Sequence, residues 1–425
     1  MPDLDFSIAL AAGAAIRLVL ASTPLAHLVA HRNELTTPLS SWHRLREGYY
    51  LLTELQLNPY AARSFHAPPL LLALVGPLTA SKTVPEWAPL LAWTAADVGI
   101  AWALACVADK RDRGQVLKDE GEQRWSRSRI ATLYLLHPFA IATTLARSSV
   151  VFSNLFLALA LESAVSGSLL SAVFLLSFAT HLSLHPILLL PPVILLAHHM
   201  QDSSPRKLLL KQAACRGVLA FAAHQVVLLT ASRWFTGSWD FLASVYGTIL
   251  TMPDLTPNIG LTWYFFIEMF DHFRSFFLVV FALHPLTYVA PLTYFYRNDP
   301  LFAIVLLVGS YTLLKSYPTL GDYAMWHVLL ACYSELLPYV SSPVFHSLAP
   351  LYALSLLPAF HHLWLYSTSG NANFFYASTL VWAVSQGGWA LEAMQAHAKR
   401  RVGIDSLTRQ GRDKVREGKW KVVQR

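Results

Sequence analysis

Apolar stretches of span length recur along the chain, separated by short polar segments, at 6–30, 87–107, 130–146, 150–164, 168–182, 184–199, 213–234, 275–296, 300–315, 321–337, 344–366 and 373–395. A helix needs about 20 apolar residues to cross the hydrocarbon core of a bilayer. The pattern therefore predicts an all-α, polytopic membrane protein of about twelve transmembrane helices, several of them short or interrupted by proline. The apolar segment 67–80, APPLLLALVGPLTA, is set apart from these. Its three prolines and one glycine in fourteen residues suit a re-entrant or interfacial piece better than a span.

Composition agrees with this pattern. Of 425 residues, 55% are hydrophobic and 13% charged, with a mean hydropathy of +0.42. Soluble domains carry about 25% charge, so an ordinary soluble enzyme is excluded, and the apolar content excludes a disordered chain. The net charge of +7 would suggest an anionic partner such as nucleic acid, but its location removes that reading. From Ala396 onward there are ten basic and three acidic residues, 10 − 3 = +7, so the tail carries the whole excess and the body is neutral. No nucleic-acid partner is expected. Cys106, Cys215 and Cys332 have no paired spacing and read as small buried hydrophobes.

Loops rich in Lys and Arg stay cytoplasmic. Asp109–Arg129 carries seven such residues, 200–212 carries Arg206, Lys207 and Lys211, and the tail carries ten. Placing all three on one side makes both termini cytoplasmic. A membrane domain then covers 1–395, with luminal loops 31–86, 235–274, 316–321 and 367–372, followed by a basic tail, 396–425. The first apolar stretch lacks a basic leader, carries Asp3 and Asp5, and reads as a retained span. Arg206, Lys207 and Arg297 are candidates for anionic phospholipid contact.

Polar residues in an apolar chain are costly unless paired or used. At 37–48, Leu39, Trp42, Leu45 and Tyr49 recur at helical spacing behind Pro38, predicting a luminal amphipathic helix that begins at the proline. In the run 253–260, Asp254 and Asn258 have the chemistry to close turns on backbone amides between prolines. An aromatic helix follows from Trp263, placing Glu268, Asp271 and His272 at i, i+3 and i+4 on one face. That arrangement would suit an interfacial polar stripe, a divalent metal or acid/base work. Lys315 and Asp322 either pair across their turn or present Lys315 to an anionic headgroup. In the turn 367–377, one asparagine is expected to cap the last helix. Asn371 and Asn373 could also hydrogen-bond sugar or phosphate oxygens, with Phe374, Phe375 and Tyr376 against lipid chains. Arg17 and Asp97 are intramembrane charges that can pair. Neither a P-loop, nor a G-x-S-x-G elbow, nor an H-E-x-x-H metal motif occurs, and no cofactor or metal is expected.

The strings TPLSSWHRLREG (37–48), SWDFLASVYGTILTMPDLTPNIGLTWYFFIEMFDHF (238–273), KSYPTLGD (315–322) and NANFFYA (371–377) closely resemble the PIG-U family. Its members are the multi-spanning subunits of the glycosylphosphatidylinositol (GPI) transamidase complex. The resemblance implies an endoplasmic reticulum protein working with PIG-K, the cysteine-protease-like catalytic subunit, and with PIG-T, PIG-S and a Gaa-type subunit. Such a complex removes a C-terminal signal from a proprotein and joins the new carboxyl end to the ethanolamine phosphate of a GPI lipid. It further implies a fold similar to GT-C glycosyltransferases, a GPI-holding role, and contact of Asn371 and Asn373 with the lipid. A groove formed by spans near 315–322 and 367–377 is the expected lipid site. A GT-C mannosyltransferase using dolichol-phosphate mannose would need clustered acids in its first luminal loop. Residues 31–66 hold only the isolated Glu34, Glu47 and Glu54, which favours a non-catalytic subunit over that enzyme. A purely architectural membrane subunit is the remaining alternative.

Overall fold

The computed structural model describes residues 5–80, 84–114, 124–201 and 209–405, with the side chains of 112–114 and 403–405 outside the description. Among the described residues it is helical without strands. Contacts divide it into two units, Met1–Arg111 with Ser126–Val328, and Asp112–Trp125 with Leu329–Arg425. The 396 boundary falls inside a helix that runs unbroken from Ala372 to Asp405. The basic tail beyond Asp405 lies outside the described residues, as do Arg206 and Lys207.

In the first unit, the expected 6–30 span is two helices, α1 (Phe6–Ala21) and α2 (Pro24–Ala30), bent by 84°. Pro24 lacks an amide hydrogen and drives Thr23 to extended angles, φ −97° and ψ 161°, which ends α1. α3 (Trp42–Thr53) and α4 (Pro69–Val75) follow. α4 continues as a 3₁₀ turn through Thr79, so the 67–80 piece is short and largely buried. Next come α5 (Trp87–Gly114), α6 (Arg127–Leu135) and α7 (Pro138–Leu145). Pro138 splits the expected 130–146 span, and the His137 ring caps α7 by accepting the Phe139 N–H at 3.3 Å. The unit continues with α8 (Val150–Val165), α9 (Leu169–Ser183), α10 (Leu190–His199) and α11 (Leu210–Thr236). It closes with α12 (Thr248–Thr251), α13 (Thr262–Glu268), α14 (Asp271–Thr287), α15 (Val289–Phe295), α16 (Pro300–Leu314) and α17 (Leu320–Ala331), the last entering the second unit. The second unit holds α18 (Pro343–Leu365) and α19 (Ala372–Asp405), packed together behind a 3₁₀ turn, Ser334–Tyr339.

Among the described residues, four helices are long and apolar enough to cross a membrane, Trp87–Arg111, Leu210–Thr236, Asp271–Phe295 and Pro343–Leu365, and the bent α1–α2 pair makes a fifth if it is one span. The expected span 373–395 lies within the 34-residue α19, which is not among those candidates, and the remaining ones correspond to apolar helices of 10–17 residues or to pieces shorter still. α16 is among these short helices and is buried nearly throughout. The outer helices are the reverse: only 11% of the Asp271–Phe295 window and of the Pro343–Leu365 window is buried within the protein. Phe276, Val279, Leu283, Phe345, Leu348 and Leu351 point outward there, as a chain surrounded by lipid requires.

A buried ion pair fixes α1 to α5 and α6. Arg17 and Asp97 are both fully buried and paired, as their intramembrane positions suggested. Arg17 Nη1 also donates to the Leu135 carbonyl at 2.8 Å and to Gly13 at 3.1 Å, while the Tyr134 hydroxyl donates to Asp97 at 2.7 Å. Gly13 permits this approach, because a Cβ there would stand 2.7 Å from the Leu135 side chain.

Candidate functional site

The polar turn 315–322 is built around proline. α16 stops at Leu314, Pro318 prevents its continuation, and α17 starts two residues later. Asp322, in the first turn of α17, accepts the Thr319 N–H at 2.8 Å and its hydroxyl at 2.9 Å, and its other oxygen pairs with Lys315 Nζ at 2.6 Å. Both side chains are under a tenth exposed. The pairing expected across this turn is therefore formed. The turn is also tied outward: Leu320 N–H donates to the Glu34 carbonyl at 2.8 Å and Asn154 Nδ2 to the Gly321 carbonyl at 3.0 Å.

The 253–260 run is joined to the same turn. Asp254 Oδ1 accepts the Thr256 N–H at 3.0 Å, and Asn258 Oδ1 accepts the Gly260 N–H at 2.7 Å, so both residues close turns on backbone amides. Tyr317 donates to the Asp254 carbonyl at 2.6 Å. Burial, and then the Asp254 charge, push its hydroxyl far above the ordinary tyrosine range, so it stays a donor. Gly260 is required here, since a Cβ would meet Asn258 Oδ1 at 2.7 Å and Pro318 at 2.8 Å.

Two expectations are corrected. The helix expected to start at Pro38 starts at Trp42, because Thr37 and Ser40 form their own turn: Ser40 Oγ accepts the Thr37 N–H at 3.0 Å, and Thr37 O accepts from Ser40 and Ser41. The helix expected to carry Glu268, Asp271 and His272 on one face is broken between them. Met269 and Phe270 are extended (ψ 137° and 136°), so Glu268 ends α13 while Asp271 and His272 begin α14. All three are exposed, and no group of three His, Cys, Asp or Glu able to hold a metal occurs among the described residues. Trp263, by contrast, is fully buried, so its role is packing. Arg297 is exposed at the α15–α16 turn, its guanidinium 4.8 Å from the Tyr294 ring centre.

In the second unit, Asn371 caps α19. Its Oδ1 accepts the Asn373 N–H at 3.1 Å and the Phe374 N–H at 3.4 Å. Its exposed amide nitrogen makes no hydrogen bond to a described residue. Asn373 is exposed beside it. Phe374 is 51% exposed, whereas Phe375 is fully buried against His361, ring centres 5.6 Å apart. The two neighbouring aromatics thus divide, one anchoring the turn and one presenting a ring.

The sequence reading missed that serines and a histidine gather with the Lys315–Asp322 pair around a cavity of about 50 Å³ in the first unit. Ser149, Ser153, Ser183 and His185 line its polar part. The signal was faint: serines at span boundaries, in RSSV and SLH, resemble ordinary helix ends.

Comparison with known proteins bears on this arrangement. The family model described as GPI transamidase subunit PIG-U matches residues 11–382. The GPI-anchor transamidase component PIGU of Homo sapiens is 33% identical over 393 residues, covering 87% of this chain and 88% of its own. The GPI transamidase component GAB1 of Saccharomyces cerevisiae is 33% identical over 355 residues, covering 83% and 84%. The component from Cricetulus griseus is also 33% identical, over 402 residues, covering 89% and 90%.

Proposed function

The chain belongs to the PIG-U family of GPI transamidase subunits, and on that premise we propose that it is the non-catalytic, lipid-presenting component of the complex. It holds a GPI lipid in the endoplasmic reticulum membrane, both termini cytoplasmic, while a partner of the PIG-K type performs proprotein cleavage and transfer. PIG-T, PIG-S and Gaa-type subunits complete the assembly. The observation that carries the lipid contact is the 371–377 turn. Asn371 is held through Oδ1 by its cap while its amide nitrogen has no partner among the described residues, beside the exposed Asn373 and the half-exposed ring of Phe374. Amide donors and acceptors suit glycan and phosphate oxygens, and the ring suits an acyl chain.

The non-catalytic reading is supported by the acids of the first loop. Glu34 is buried while Glu47 and Glu54 are exposed, and a transferase of the mannosyl class needs carboxylates gathered at one place. Arg206, Lys207 and Arg297 are assigned to anionic headgroups at the membrane surface.

Lipid analysis separates the subunit from the transferase. Cells lacking the protein are expected to accumulate complete GPI lipid together with uncleaved proprotein. Accumulation of an under-mannosylated precursor overturns the assignment.

A further inference from the structure

The span Asp271–Phe295, made of α14 and α15, turns nearly all of its surface away from the rest of the protein. It carries one polar group where lipid offers nothing to match it. Among the exposed Asp, Glu, Lys, Arg and His of the four span-length helices, His284 alone is more than ten residues from both ends of its helix. At about 1.5 Å per residue it stands about 20 Å from one end and about 17 Å from the other, near the middle of a hydrocarbon core about 30 Å thick. Its one side-chain hydrogen-bond partner among the described residues is the Tyr288 hydroxyl, 3.0 Å from Nε2. That pair holds one hydrogen too many in either tautomer. If the hydroxyl donates to Nε2, the Nδ1–H is left over; if the Nε2–H donates, the hydroxyl hydrogen is left over. No described residue accepts it. Lipid ester carbonyls lie at the edges of the core, so the bilayer supplies no acceptor at this depth, and an unaccepted donor there is costly. The imidazole also belongs to a stripe. Phe273, Val280, His284, Thr287 and Pro291 are all exposed and follow one another at seven, four, three and four residues, the seam by which one helix packs along another.

We propose that this seam is the docking surface for a transmembrane helix of another subunit, one that brings an acceptor side chain of the Ser, Thr, Asn or Gln kind to the spare hydrogen of the His284–Tyr288 pair. The relatives of this chain are components of a transamidase, so helices of other subunits are at hand. A second copy of the chain fits less well, because two copies share one orientation in the bilayer and each brings its own surplus hydrogen to the same depth. The proposal rests on membership of that complex and stands if the lipid contact at 371–377 fails.

The test uses the complete complex carrying the photoreactive Val280→benzoylphenylalanine, on the seam, or Leu286→benzoylphenylalanine, exposed on the side of α14 turned away from His284. Irradiation in the membrane, followed by purification and mass spectrometry, is expected to join position 280 to a transmembrane segment of another subunit. Position 286 should give far less of that product. His284→Leu keeps an exposed apolar residue in the helix and is expected to fold. It should raise the loss of that subunit in rising detergent about three- to tenfold, as one interhelical hydrogen bond implies. His284→Gln, which keeps a donor, should retain the subunit, and Asn371→Ala/Asn373→Ala should change neither readout. Equal yields from the two positions, no product with another subunit, a product joining two copies of this chain, or equal subunit retention by wild type and His284→Leu overturns the proposal.

Discussion

Two polar turns, 315–322 and 367–377, look alike as sequence: each joins apolar helices through a few hydrogen-bonding residues. They differ in where those groups go. In the first turn the charges are turned inward, Lys315 and Asp322 being paired, under a tenth exposed, with the second carboxylate oxygen accepting twice from Thr319. In the second, the chain spends one oxygen of Asn371 on capping α19 and leaves the remaining amide outside, with Asn373 and Phe374 exposed beside it. A charge in an apolar chain has to be matched internally, whereas a neutral amide can stay at a surface at little cost. The inward turn thus holds the fold, while the outward turn keeps polar and aromatic groups at the surface.

The largest effect should come from breaking the inward turn. Asp322→Ala leaves the Lys315 ammonium buried and unmatched and is expected to cost about 3–5 kcal/mol, seen as loss of assembled complex and a lower thermal midpoint. Lys315→Met/Asp322→Leu should recover most of that stability, and no recovery would refute the pairing as the main role of the carboxylate. In the outward turn, Phe375→Ala should cost about 3–5 kcal/mol, because the ring is fully buried. Phe374→Ala should destabilise far less and act on lipid use instead. A similar loss of stability for both would erase the division between anchor and presenter. Asn371→Ala removes a cap worth about 1 kcal/mol, a small fall in thermal midpoint.

Much of this was legible in the sequence. Hydropathy located the apolar helices, and Arg17 and Asp97, isolated charges in apolar runs, proved to be partners. Turn chemistry at Asp254 and Asn258 was readable because each acts on a backbone amide two residues away. Span integrity was legible only in part: short and proline-interrupted spans were expected, but not where the cuts fall. Pro24 and Pro138 each cut an apolar run in two, and hydropathy is blind to the lost amide hydrogen. The break after Glu268 has no proline to announce it; extended angles at Met269 and Phe270 decide it. Local bonding at Thr37 and Ser40 likewise overrode the helix-start signal of Pro38. The cavity's lining was not legible because its polar groups come from α8, the α9 end and the 315–322 turn, far apart in sequence.

The central claim is that the 371–377 turn contacts the GPI lipid. It is tested most directly by measuring transfer to a reporter proprotein, at limiting GPI, by a complex carrying Asn371→Ala/Asn373→Ala. Neutral hydrogen bonds are worth about 1 kcal/mol each, so normal assembly with transfer reduced several-fold, and recovered at higher GPI, is the predicted result. Normal assembly with unchanged transfer would contradict the assignment.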